Sequence, residues 1–85
     1  MSVITDEVRT KVHEIVCDVL EIEPEELTED TLFVEDLGAD SMQAIEILAS
    51  LEISFRTSID QSQLERMINL KGLHEVLAES IGARS

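Results

Sequence analysis

The stretch from Ser41 to Phe55 restricts the fold more than any other part of the chain. Wound as an α-helix, it puts Ala44, Ile47, Leu48, Leu51 and Phe55 on one side. Met42, Ile45, Ala49 and Ile53 form a second apolar strip beside the first, at steps of three and four. Only Gln43, Glu46, Ser50 and Ser54 are left for a narrow polar face. The first strip is already a sufficient core face, and a helix of a three- or four-helix domain rarely needs to bury more. Either later helices cover the second strip, or it is an exposed docking surface flanked by Glu46 and Glu52. In the second case its partner carries apolar and basic residues.

The other elements follow from the same periodicity. Thr5 caps a first helix, with Asp6 and Glu7 in the turn where negative charge is favourable. Val8, Val12, Ile15, Val16, Val19 and Leu20 form its buried stripe. Cys17 falls roughly 180° from the centre of that stripe, which predicts a surface thiol. Pro24 is expected to end the helix and to push Glu23 into extended geometry. From Glu21 to Asp40 runs a long acidic loop carrying Ile22, Leu27, Leu32, Phe33, Val34 and Leu37. Loops of this length are uncommon unless functional, and these apolar residues predict that it packs across the bundle. Glu25, Glu26 and Leu27 suit a single helical turn within it. Asp60 caps a short third helix over Gln61 to Met67, with Leu64, Met67 and Ile68 as its buried contacts. Asn69 caps a fourth, with Leu70, Leu73, Val76, Leu77 and Ile81 inward and Gly82 as its stop. The expected fold is all-α: a small four-helix bundle with a long first crossover and a short third helix, forming one domain over residues 1–85.

Composition narrows the function. Apolar residues make up 44% of the chain, too many for a disordered acidic tail, and the only aromatics are Phe33 and Phe55. Nineteen acidic residues against six basic ones give a net charge of −13. Such a surface repels nucleic acid and anionic membranes and attracts basic protein patches. One cysteine excludes an internal disulfide. The N-terminal residues lack the basic and apolar regions of a signal peptide, and no run of roughly 20 apolar residues could span a membrane. A cytoplasmic protein is expected.

The chemistry-bearing residues do not assemble into a catalytic set. His13 and His74 are far apart in sequence and have no cysteine cluster, so no metal site is predicted. The acidic loop fails the calcium-loop pattern. Starting at Asp30 puts Leu32 and Val34 at ligand positions, and starting at Asp36 puts Gly38 third. Gly38 stands alone and cannot form a glycine-rich phosphate cradle. What remains is the junction Leu37-Gly38-Ala39-Asp40-Ser41-Met42. Asp40 caps the helix, Gln43 completes a variant capping box, and Ser41 falls in the first turn beside the positive end of the dipole. A hydroxyl at an exposed turn of a rigid element, next to a recognisable surface, has the properties of an attachment point.

The run Phe33-Val34-Glu35-Asp36-Leu37-Gly38-Ala39-Asp40-Ser41-Met42 resembles the attachment motif of acyl carrier proteins. The helix order, the acidity and the chain length resemble that family as well. The resemblance implies that Ser41 receives 4′-phosphopantetheine from coenzyme A through a phosphopantetheinyl transferase, with Asp40 and Met42 as flanking recognition residues. The arm then carries acyl groups as thioesters, and the protein itself catalyses nothing. Its partners would be ketosynthases, acyltransferases and related synthase enzymes with basic docking surfaces, meeting a monomer through Ile45, Glu46, Ala49, Glu52 and Ile53. Relatives can shelter an acyl chain among the loop and the second and third helices. This chain departs from the family pattern at Met42, where leucine is usual, at Gln43 and Ile53-Ser54, where acids are common, and at Arg56 and Asp60. Those departures favour a polyketide or other specialised pathway over general fatty-acid synthesis. Two other readings stand beside this one: an aminoacyl or peptidyl carrier, and an acidic helical interaction module whose Ser41 is only a cap.

Overall fold

The structure, a computed structural model, describes residues 4–82. It consists of α1 (Asp6–Leu20), a 3₁₀ turn η1 (Pro24–Glu26), α2 (Ser41–Phe55), a second 3₁₀ helix η2 (Gln61–Arg66) and α3 (Leu70–Gly82). The described residues contain no strand. The bundle is thus the expected one, with the short third helix wound as 3₁₀.

Each α-helix begins where a local side chain can satisfy an open amide. Thr5 Oγ1 accepts from Val8 N–H at 3.3 Å, and Asn69 Oδ1 accepts from Gly72 N–H at 2.9 Å. Asp60 does the same for η2, accepting from Ser62 N–H at 2.9 Å. The hydrogen bonds from Ser62 hold the Asp60 carboxyl below its ordinary pKa.

The core is built from matched pairs one helical turn apart. Val12 and Val16 of α1, Ile47 and Leu51 of α2, and Leu73 and Leu77 of α3 are its most deeply buried large side chains. Each contributes about 1.5–3 kcal/mol of burial. The crossover adds Leu27, Phe33 and Ala39, so it lies across the bundle as its apolar residues require. Ile59, a lone apolar residue between Ser58 and Asp60, is buried too. The linker that holds it is tied to α3, because Ser80 donates to the Ser58 carbonyl at 2.8 Å and its hydroxyl also meets that of Thr57. On the surface, Arg66 forms a two-pronged ion pair with Glu79, linking η2 to α3. The guanidinium holds the Glu79 carboxyl below its usual range.

Three local expectations are corrected. Cys17 is buried, not a surface thiol. The chain turns back after Glu21, where Ile22 N–H bonds the Cys17 carbonyl at 3.1 Å, and Cys17 belongs to the core cluster against which Ile22 packs. Burial, then the negative charges of Glu26, Glu23 and Glu25, pushes the Cys17 pKa up. Helix α1 stops at Glu21, not at Pro24: Glu21 adopts φ 55°, ψ 47° and its amide bonds the Cys17 carbonyl. Pro24 instead opens η1, where its missing N–H has no cost, and Glu23 before it is extended as expected. Ile68 was expected in the core and is 54% exposed. Its carbonyl, at 2.9 Å from Phe33 N–H, is what the fold uses.

Candidate functional site

The junction before α2 is a hydrogen-bonded turn, not a slack loop. Leu32 N–H donates to Asp36 Oδ2 at 2.8 Å, and the Leu32 carbonyl accepts from Asp36 N–H at 2.9 Å and from Leu37 N–H at 3.2 Å. Gly38 N–H reaches the Val34 carbonyl at 3.0 Å and Ala39 N–H the Phe33 carbonyl at 2.9 Å. Gly38 has φ +70°, in the left-handed region. A Cβ there would touch nothing within 4 Å, so it is the backbone conformation that favours glycine. Buried Ala39 then anchors the strand of chain that enters the helix.

At the helix start Asp40 Oδ1 accepts from Gln43 N–H at 2.9 Å, and Gln43 Oε1 accepts from Asp40 N–H at 3.1 Å. This is the reciprocal capping box read from the sequence. Ser41 and Met42 occupy the first two helical positions, and both are exposed, Met42 at 70%. Among the described residues neither of their amides has an acceptor. The first turn of α2 carries no acidic side chain, so the positive end of the dipole is unopposed within the helix.

The second apolar strip is not covered by the later helices. Ile45 is 42% and Ile53 79% exposed, and Ala49 between them is exposed as well. The inward strip behaves differently, with Ile47, Leu48 and Leu51 buried and Ala44 and Phe55 half-buried. Glu46 lies exposed beside the outer strip. Glu52 is half-buried and turned toward its own chain, where Oε2 accepts from Ile59 N–H at 3.1 Å. The structure therefore brings Asp40, Ser41, Met42, Ile45, Glu46, Ala49 and Ile53 to one exposed side and draws Glu52 partly away from it.

Sequence reasoning left unplaced a small apolar pocket of about 90 Å³ behind the same junction. Phe33 and Ala39 of the crossover, Ala44 and Ile47 of α2, and Leu64 and Met67 at η2 line it, together with the exposed Val34 and Ile68. Its place matches the region between the loop and the second and third helices where relatives shelter an acyl chain, and Phe33 is the one aromatic residue of that loop. An open surface groove of about 650 Å³ along α1, around Lys11, Cys17 and Ile22, contains none of the predicted site residues. No cluster of three or more His, Cys, Asp or Glu side chains suited to a metal occurs among the described residues. His13 Nε2 lies 2.9 Å from the Pro24 carbonyl. No helix of the described residues is long and apolar enough to cross a membrane.

Fold and site together define a small helical domain that displays a hydroxyl at the head of a partly exposed helix. The family described as "phosphopantetheine attachment site" matches residues 10–77. Polyketide-8 synthase acyl carrier protein 1 of Streptomyces avermitilis is 50% identical over 72 residues, 85% of this chain and 86% of that protein. An acyl carrier protein of Petrotoga mobilis is 32% identical over 76 residues, 89% of each chain. A chain in the solved structure of the ishigamide ketosynthase/chain length factor superposes with a TM-score of 0.77 at 26% identity, covering 92% of this chain and 99% of that one. The chain belongs to the acyl carrier protein family, whose prosthetic group is covalent 4′-phosphopantetheine.

Proposed function

We propose that Ser41 bears the 4′-phosphopantetheine and that the 85 residues act as one non-catalytic carrier of acyl intermediates in polyketide biosynthesis. The observation that carries this reading is the exposed Ser41 hydroxyl at the first position of α2, set by the Asp40–Gln43 box. The surroundings fit a phosphodiester. The Ser41 and Met42 amides have no acceptor among the described residues, and one carboxylate oxygen of the preceding Asp40 is engaged by Gln43 N–H. In the transfer step the Ser41 oxygen forms the new bond to phosphorus, its proton leaves with a base of the transferase, and the nucleotide part of coenzyme A departs. Once attached, the arm supplies a terminal thiol on which acyl groups ride as thioesters.

The role of this chain's own residues is presentation. Met42, Ile45, Ala49 and Ile53 offer apolar contact to a ketosynthase, an acyltransferase or the transferase itself, and Glu46 with the crossover acids steers basic partner surfaces. Polyketide cargo is supported by the 50% identity to a polyketide synthase carrier and by the thinned acidity of α2. The pocket behind Ser41 has the volume of about three water molecules, so sheltering a long acyl chain requires α2 and η2 to separate. Intact mass after incubation with coenzyme A and a broad phosphopantetheinyl transferase tests the assignment. The expected result is a gain of one phosphopantetheine on the wild type and none on Ser41→Ala. No gain on the wild type, or the same gain on Ser41→Ala, overturns it.

A further inference from the structure

The outer face of α2 changes sign along its length. Around Ser41 the exposed charges are Glu35, Asp36 and Asp40, with Glu46 one turn into the helix. At the far end Ile53 is the most exposed large apolar residue of the described chain, Ser54 beside it is neutral, and Arg56 follows. Glu52, the one acid of the last turn, has a carboxylate oxygen committed to Ile59 N–H. Arg56 is exposed and makes no ion pair among the described residues, whereas Arg9 is paired with Glu29 and Arg66 with Glu79. Its amide still bonds the Glu52 carbonyl, so its Cα continues the helical path, three residues beyond Ile53 and seven beyond Ala49. From Ser41 to Arg56 the helix rises about 22 Å at 1.5 Å per residue.

Resting on the carrier reading above, we propose that this face is a two-signed docking strip that fixes the direction in which a ketosynthase takes the carrier. The ketosynthase surface that fits it has basic residues at the end receiving Ser41. About 20 Å away it has an apolar hollow for Ile53 flanked by a carboxylate for Arg56. A uniformly basic surface would attract the Ser41 end and repel the Arg56 end, so it would hold the helix less well. Arg56 is thus a specificity-determining contact, and it acts on binding, not on the chemistry at the arm.

The test uses the holo-protein with the ketosynthase of its own synthase, and measures KM and kcat for acyl transfer. Arg56→Gly suits the left-handed backbone at this position (φ 50°, ψ 52°), so it removes the cation without straining the fold. Arg56→Glu reverses the sign, and Ile45→Glu serves as the control for the strip as a whole. The expected result is a KM raised about fivefold by Arg56→Gly and further by Arg56→Glu, with kcat unchanged. Raised salt should shrink the difference between wild type and Arg56→Glu. An effect of Ile45→Glu with none from either Arg56 variant overturns the two-signed strip and leaves the carrier docking intact. A KM lowered by Arg56→Glu overturns it as well, because the partner surface is then basic throughout. No effect from any of the three variants removes the docking role of α2 itself.

Discussion

Gly72 sets two rules against each other, and the structure decides between them. It lies inside α3, where replacing glycine by alanine normally gains about 0.8–1.0 kcal/mol of helix propensity. Sequence reasoning alone would make Gly72→Ala a stabilising change. In the structure a Cβ at this position would lie 2.0 Å from the Arg66 carbonyl oxygen and 3.2 Å from its carbon. Real Cβ contacts essentially never fall below 3.0 Å, so the end of η2 would have to withdraw by about 1 Å. The obstacle is backbone and cannot rotate aside. The withdrawal also disturbs the Phe33 N–H to Ile68 carbonyl bond and the Asn69 cap on Gly72 N–H, both at 2.9 Å. Overpacking costs about 1–3 kcal/mol, and a clash with backbone that cannot rotate aside belongs to the upper part of that range, about 2–3 kcal/mol, which exceeds the helical gain. A net loss of about 1–2 kcal/mol is expected, lowering Tm by roughly 5–15 °C in a domain of this size. Urea and thermal unfolding followed by helical circular dichroism measure it. An unchanged or raised midpoint would refute the close approach of η2 to α3.

Two further outcomes are expected. His74 is buried and its Nε2 has no hydrogen-bond partner among the described residues; burial, then Arg9, lowers its pKa, while Glu29 opposes. The unfolded chain therefore takes up the proton first, so this contribution to stability is complete above about pH 6.5 and declines as pH falls, by at most about 1.4 kcal/mol per unit. His74→Leu should flatten the pH dependence between about pH 5.5 and 7 and match or exceed wild-type stability at pH 7; parallel wild-type and variant curves would sink this account. Asp40→Ala should lower stability by about 1 kcal/mol by opening the cap beneath Ser41, while Asp40→Asn, which keeps the acceptor, should largely restore it; equal losses in urea unfolding would show that charge, not capping, matters there.

The helix starts and the place of Ser41 were legible in the sequence because they are local. Asp40 reaches Gln43, Thr5 reaches Val8 and Asn69 reaches Gly72 across three residues, whatever the rest of the chain does. The inward stripes were legible as well, since 3.6-residue periodicity is a property of each helix by itself. Periodicity cannot say which chain segment lies against a given face. Cys17 sits opposite its helix's main stripe and is still buried, because it joins the core cluster against which Ile22 of the crossover packs. Ile68 has the composition of a core residue, but its backbone carbonyl is the part that serves Phe33. Glu52 reads as one more surface acid until Ile59 N–H, seven residues away, claims it. The same limit applied to the outer strip of α2. The sequence alone determined that Met42, Ile45, Ala49 and Ile53 align; only the packing of η2 and α3 against the other side of the bundle decided that they remain exposed.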